Sequence, residues 1–192
     1  MLADSVPQLA RALDARRRRL LVGDGKRRAA VLVPLLPVDG ALHLLYTRRA
    51  ASLPHHQGQV AFPGGTHDAA RDRDVLATAL REAHEEIGLR PDDVRVLGLL
   101  DDIETMTSGF VITPVVGLVP HPYPWTPRPG EVDRIFTAPI DDLLAPDAER
   151  RETWDFAGRA VPIDLFPVAG NVVWGATHRI TRNLLDIVGS LR

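Results

Sequence analysis

The stretch Arg81-Glu82-Ala83-His84-Glu85-Glu86-Ile87-Gly88-Leu89 decides how the rest of the chain is read. In a helix, Glu82, Glu85 and Glu86 stand at i, i+3 and i+4 and project from one patch of its surface. Leu76, Leu80, Ala83 and Ile87 form an apolar stripe beside that patch, so one face docks while its neighbour stays free for chemistry. Arg81, one turn before Glu85, is placed to hold that carboxylate by a charged hydrogen bond.

An acidic helix face is most often simply a solvated one. Here the glutamates fall in the last turn before Gly88, the expected C-terminal cap, where the helix dipole disfavours each anion by a few tenths of a kcal/mol. They also repel one another by about 0.2 to 0.5 kcal/mol per i, i+4 pair. A hard divalent cation on the carboxylate oxygens reverses both penalties.

Outward from the helix, Phe62-Pro63-Gly64-Gly65 contains a glycine pair expected to permit a tight turn with positive φ. Upstream, the apolar runs Ala29 to Val38 and Leu42 to Arg48 flank Asp39-Gly40, a hairpin pattern. Ala50 to Gln59 reads as a loop. His55 and His56 within it lack a third ligand at zinc-like spacing, and a loop or substrate-facing role is expected of them. Ser5 to Leu20 has Leu9, Leu13 and Leu20 at amphipathic spacing, with Arg16 to Arg19 expected at the helix C-terminus, where their charge suits the dipole.

Downstream, Val94 to Leu100 and Phe110 to Val119 read as strands, Pro114 favouring an edge or a bulge. Tyr123, Trp125 and the surrounding prolines form a stiff loop that covers either a substrate or the core. Glu131 to Ala138 is extended and a short helix starts at Ile140. Thr153 to Phe156 and Ala160 to Ile163 pair as a hairpin, and Val172 to Trp174 lead to a last helix, about 176 to 188. Strands mixed with three or four helices give one α/β domain.

A chain of 192 residues, 45% of them hydrophobic, is long enough for one well-filled domain and short for two. The formal net charge of -2 calls for no nucleic acid and no anionic membrane surface. With no cysteine, disulfides, thiolate metal sites and a cysteine nucleophile are excluded together, and the composition fits a reducing compartment. The first residues lack the pattern of a signal peptide, and the longest apolar run, Ala29 to Val38, is too short to span a bilayer. A cytoplasmic location without membrane attachment is the expectation.

The 81–89 stretch resembles the second half of the Nudix box, G-x5-E-x7-R-E-U-x-E-E-x-G-U with U aliphatic, matched here by Arg81, Glu82, Ala83, Glu85, Glu86, Gly88 and Leu89. Phe62 to Gly65 resembles its beginning. Residues 66–80 are two more than the pattern has, and Arg73 stands where its first Glu is expected, a role open to Asp72 or Asp74. Further runs resemble the Nudix hydrolases of coenzyme A and its thioesters: His43 to Arg49, Gly58 to Gly65, Thr107 to Phe110, Thr113 to Gly117, Glu131-Val132 with Phe136, and Trp174 to Thr177. That group usually carries an arginine four residues before Gly58, where this chain has Pro54. Arg48 or Arg49 is the expected substitute in binding substrate.

The resemblance implies a Nudix-type α/β/α sandwich with a mixed central sheet, one domain over 1–192, with an N-terminal helix and basic segment at 1–28 and the box region at 62–89. It implies Mg²⁺ or Mn²⁺ held by Glu82, Glu85, Glu86 and the Gly65 carbonyl, which would neutralise pyrophosphate oxygens and acidify a bound water. Arg81 would orient Glu85. Glu131 is the first candidate for the base, and Glu104 the second. The implied reaction cleaves coenzyme A or acyl-coenzyme A to 3',5'-ADP and the 4'-phosphopantetheine product. Alternatives are another nucleoside diphosphate derivative (ADP-ribose, NADH or a nucleoside triphosphate) and a non-catalytic nucleotide-binding domain. The expected partner is a small nucleotide-derived molecule, with a homodimer left open.

Overall fold

The strand Arg27–Val38 (β1) is the spine of the molecule. A computed structural model of the chain describes residues 2–21, 25–53, 57–105, 109–156 and 158–192, giving for residues 2–4 the backbone alone. Pro54, His55, His56, Thr107 and Ser108, read above as loop or motif residues, lie outside the described residues. β1 turns through Asp39-Gly40 into Ala41–Arg49 (β2), pairing Val38 with Ala41 and Leu35 with Leu44, so the expected hairpin forms. On its other side β1 runs parallel to a strand from Phe110 to Leu118.

After the Leu35–Leu44 pair the hairpin strands splay, and the start of the box fills the gap. Val60–Ala61 (β3) pairs with β2, while Gly64–Thr66 (β4) pairs with β1. Phe62 at the split is buried and stacks on Tyr46 at 5.0 Å between ring centroids.

The glycine pair is explained differently from the expectation. Neither Gly64 nor Gly65 has positive φ. A Cβ on Gly64 would meet Ala30 O at 2.4 Å, and one on Gly65 would meet the Glu82 Cδ at 2.5 Å. Close approach to the β1 backbone, not turn geometry, demands glycine at Gly64, while at Gly65 the missing Cβ leaves room for the Glu82 carboxylate.

The helix Val75–Ile87 (α2) is opened by Asp74, whose carboxylate accepts from the Ala77 amide, and closed by Gly88 at φ 72°. It buries Thr78, Ala79, Ala83 and Ile87, with Leu76 and Leu80 partly buried, against one face of the sheet formed by Ala30, Leu32, Leu36, Leu45, Val115 and Val119. The opposite face, through Val33, Leu35, Leu44 and Tyr46, packs on Leu9 and Leu13 of Leu2–Ala15 (α1). Both sheet faces are therefore buried, which is why β1 reads as a nearly continuous apolar run rather than an alternating one.

Arg95–Leu99 (β5) and Ile103–Glu104 (β6) both pair with Phe110–Leu118 (β7), and Val132–Pro139 (β8) pairs with β2. The main sheet runs β3-β2-β1-β7-β5, mixed in direction. β7 is thus interior, against the edge expected from Pro114. The proline is accommodated because its neighbour on that side changes from β6 to β5 around it, and the bulge lies instead between Val96 and Gly98. The short helix Ile140–Leu143 (α3) leads to a second, three-stranded sheet of Arg150–Phe156 (β9), Arg159–Val168 (β10) and Asn171–Trp174 (β11), and Gly175–Gly189 (α4) closes the fold beside α1. Its Ile180, Leu184 and Leu185 join the α1 core. Helices on both faces of a mixed sheet make the expected α/β/α sandwich.

The basic segment is corrected. α1 ends at Ala15, so Arg16 to Arg19 lie beyond its last turn, and Leu20 is exposed. Arg16 ion-pairs with Asp101 and donates to Leu99 O at 3.3 Å, and Arg18 pairs with the buried Asp102 at 3.3 Å. These arginines fasten the amino-terminal segment across the sheet rather than completing a helix end.

Candidate functional site

The acidic patch of α2 faces the split in the sheet. The Gly64 amide donates to Glu86 Oε2 at 3.1 Å, and the Glu82 carboxylate lies directly over Gly65. Opposite them, Arg49 ends β2 and Glu131 precedes β8, close enough that both influence the Glu86 charge. Burial, with repulsion from Glu82 and then Glu131 adding to it, pushes the Glu86 carboxyl up to about 7 against the opposing pull of the Gly64 amide and Arg49. Glu82, Glu86, Gly65, Glu131 and Arg49 are therefore brought together.

Glu85 sits apart from this group. Arg71 donates to its Oε1 at 2.6 Å and Arg81 to its Oε2 at 3.4 Å, and the nearby Arg71 holds its pKa below the usual carboxylate value. Arg81 was expected to serve Glu85 first. Its main partner is Asp72, gripped through Nε at 2.7 Å and Nη2 at 2.9 Å, with Glu82 at 2.8 Å. The Asp72 carboxylate is almost fully buried, further accepts from Thr78 Oγ1 at 2.9 Å and the Asp68 amide at 3.1 Å, and has its pKa driven well down chiefly by Arg81. Of the two loop carboxylates, Asp72 is the one bound to Arg81, and Asp74 is the helix cap.

Arg48 and Arg49 part company. Arg48 pairs with Asp133 on the exposed side of β8. Arg49, next along the strand, points toward the α2 side, and its buried Nε has no hydrogen-bond partner among the described residues. Glu104 pairs with Lys26, away from the acidic group.

The aromatic loop after Val119 caps the core. Tyr123 donates to Asp93 at 2.8 Å, Tyr123 and Trp125 pack on the α2 core, and the amides of Thr126 and Arg128 bond the carbonyls of Ile87 at 3.0 Å and Glu86 at 2.8 Å. These bonds satisfy carbonyls that the end of α2 leaves free and fix the backbone beneath the glutamates. Arg71 was missed in the sequence because its partner Glu85 is set by a loop path, and Arg128 was missed although it pairs with Glu131, three residues on, at 3.4 Å. The only signal of Asp72 was an acidic residue near the expected box position.

Among the described residues no three His, Asp or Glu side chains already converge as a coordination cluster, for Glu82 and Glu85 lean on arginines. The donor set nevertheless fits a hard divalent ion. It is all oxygen, Gly65 leaves Glu82 the space a Cβ would fill, and the buried Glu86 carries a charge penalty that a cation removes.

The NUDIX domain family matches residues 26–157, a span that includes the whole acidic site. The chain belongs to the Nudix hydrolase family. Nudix hydrolases act on phosphorus anhydrides of small nucleotide-derived substrates and generally use divalent cations. The chain is 37% identical over 177 residues to the uncharacterized Nudix hydrolase NudL of Salmonella paratyphi B, covering 85% of this chain and 84% of that protein, and equally similar to that of Salmonella newport. Among solved structures, a MutT/nudix family protein from Enterococcus faecalis aligns with TM-score 0.55 and 14% identity over 90% of this chain and 66% of that one. The Nudix hydrolase RenU from M. smegmatis aligns with TM-score 0.51 and 24% identity over 62% of this chain and 73% of that one. These structural likenesses establish the Nudix fold. No described helix is long and apolar enough to cross a membrane.

Proposed function

We propose that this Nudix hydrolase cleaves the pyrophosphate bond of coenzyme A or acyl-coenzyme A, yielding 3',5'-ADP and 4'-phosphopantetheine or its acyl form. The observation that carries hydrolysis is the meeting of Glu82, Glu86 and Glu131 with Arg49 at the sheet split. The coenzyme A assignment rests on the sequence runs that resemble that group. Arg49, with a donor to spare, supports it by supplying the guanidinium that Pro54 lacks.

In this reading Glu82 and Glu86, with the Gly65 carbonyl, would hold Mg²⁺ or Mn²⁺, and Glu85, which Arg71 and Arg81 bind in its absence, would be the third carboxylate of the set. Such an ion supplies charge neutralisation at the phosphates and acidifies water. Arg49 binds phosphate oxygens, and Glu131 accepts the proton of the attacking water. The water oxygen bonds to one phosphorus as the bridging P–O bond breaks, leaving two phosphomonoesters. Asp72 and Arg81 position the acidic face. Residues 1–192 act as one Nudix hydrolase domain, the 1–28 segment being fastened through Asp101 and Asp102, and the cysteine-free composition supports a cytoplasmic setting.

Pro54 favours a second reading, the same reaction on ADP-ribose, NADH or a nucleoside triphosphate. Product analysis with Mg²⁺ and with Mn²⁺, offering coenzyme A, acetyl-coenzyme A, ADP-ribose, NADH and dGTP in parallel, separates the two. Release of 3',5'-ADP from the coenzyme A substrates alone is expected. Cleavage of another substrate alone overturns the specificity, and binding without cleavage across the panel overturns the catalytic assignment.

A further inference from the structure

β9 is the outer strand of the three-stranded sheet, with no strand on its far side among the described residues. Its seven residues, Arg150 to Phe156, pair with β10 without a register shift, and nearly all are exposed. It contains no proline. Of the devices that ordinarily blunt an edge, proline, bulges and very short length are absent here, and only the charges of Arg150, Arg151, Glu152 and Asp155 are present.

The direction of its backbone groups follows from the pairing. Phe156 and Arg159 close the hairpin, a pair that exchanges both hydrogen bonds, and bonded pairs alternate along an antiparallel ladder. Thr153 therefore stands in a non-bonded pair with Pro162, as suits a residue without an N–H. The amides and carbonyls of Arg151, Thr153 and Asp155 consequently point to the free edge.

The strand is complementary to itself. Antiparallel pairing of two copies about a two-fold axis at Thr153 sets Arg151, which Asp164 of its own chain already holds at 2.6 and 2.9 Å, against Asp155 of the partner subunit, so that the cation lies between two carboxylates. It also sets Glu152 against Trp154 of the partner subunit and Arg150 against Phe156 of the partner subunit, a cation over a ring. Trp154 already donates to Glu152 at 2.8 Å within one chain, so the two side chains share a face. Centring the axis on Glu152 would oppose two carboxylates and shorten the ladder. On the outer face Trp154, Phe156 and Trp174 form one ring cluster, with Phe156 43% exposed, and the pairing would bring the clusters of two copies alongside one another.

We propose that the chain forms a two-fold homodimer by antiparallel pairing of β9 with β9 of a second copy, centred on Thr153, giving a continuous six-stranded sheet. An isologous contact of this kind closes on itself, which suits a self-complementary strand. It involves none of the residues of the hydrolytic site, so it stands or falls separately from the substrate assignment.

The chain has no cysteine, so one introduced thiol reports the contact cleanly. Bonded antiparallel partners lie about 5.5 Å apart at Cα, within disulfide range. Under mild oxidation, Thr153→Cys is expected to give a covalent dimer in high yield, while Ser190→Cys gives no cross-linked species. Sedimentation velocity of the unaltered protein should show a dimer that strengthens with concentration, and Asp155→Arg should lose it. The double change Arg151→Asp with Asp155→Arg should restore it, with far-ultraviolet circular dichroism unchanged throughout. A monomer at every concentration, no cross-linking above the Ser190→Cys control, or a dimer indifferent to Asp155→Arg would each overturn the proposal.

Discussion

Asp72 and Arg81 form a buried two-pronged ion pair, with Nε to Oδ1 at 2.7 Å and Nη2 to Oδ2 at 2.9 Å. It joins the loop before α2 to the middle of that helix and sets the orientation of its acidic face. Replacing Asp72 by Asn leaves the Arg81 charge poorly matched in a largely enclosed position. The expected loss is about 3 to 5 kcal/mol of stability, read by denaturant unfolding. Because the Asp72 pKa is lowered in the folded state, its contribution is present above the unfolded carboxylate pKa and fades as pH falls through the folded value. A variant as stable as the parent at neutral pH would contradict this role.

Glu86 behaves in the opposite sense. Its folded pKa is raised from 4.5 to about 7, so the metal-free protein loses stability as pH rises through that window. The loss is on the order of 1 to 3 kcal/mol. Glu86→Gln should flatten the profile, make the metal-free protein more stable at neutral pH and abolish turnover. Thermal unfolding in chelator across pH measures the first two effects. Persistence of the same slope in the variant would place the titration elsewhere.

Gly65 leaves space for the Glu82 carboxylate, since a Cβ there would lie 2.5 Å from Glu82 Cδ. Gly65→Ala should displace that carboxylate and weaken Mn²⁺ binding about tenfold or more. Isothermal titration with Mn²⁺ provides a reading independent of turnover. Unchanged affinity would remove Glu82 from the ion site.

The two neighbouring arginines should differ sharply. Arg49→Ala is expected to lower kcat/KM by about 10- to 100-fold, the value of a charged hydrogen bond to phosphate. Arg48→Ala removes a solvent-exposed pair with Asp133 and should change stability by no more than about 1 kcal/mol, with little effect on rate. Equal losses in steady-state kinetics would place both side chains on the substrate.

The local pattern of α2 was fully legible before folding. Spacing of Glu82, Glu85 and Glu86, the apolar stripe and Gly88 depends on helix periodicity and capping, both properties of neighbours in sequence, and the hairpin through Asp39-Gly40 is local in the same way. The expectations that failed concerned neighbours distant in the chain. Pro114 was read as marking an edge or a bulge because a single strand does not announce that its partner changes from β6 to β5 beside it. Arg16 to Arg19 were read against their own helix, whereas Arg16 pairs with Asp101 and Arg18 with Asp102.

By itself, then, the sequence determined the helix, its carboxylates, the box that surrounds them and the α/β class, since each is encoded by short-range spacing. Tertiary structure alone decided that Arg81 serves Asp72 before Glu85 and that Arg49 rather than Arg48 faces Glu86. It also decided that Gly64 is required by close approach to β1 and that Gly65 leaves room for the Glu82 carboxylate. Each of those outcomes depends on where a separate strand or loop passes in space, and charge and packing act across that distance regardless of position along the chain.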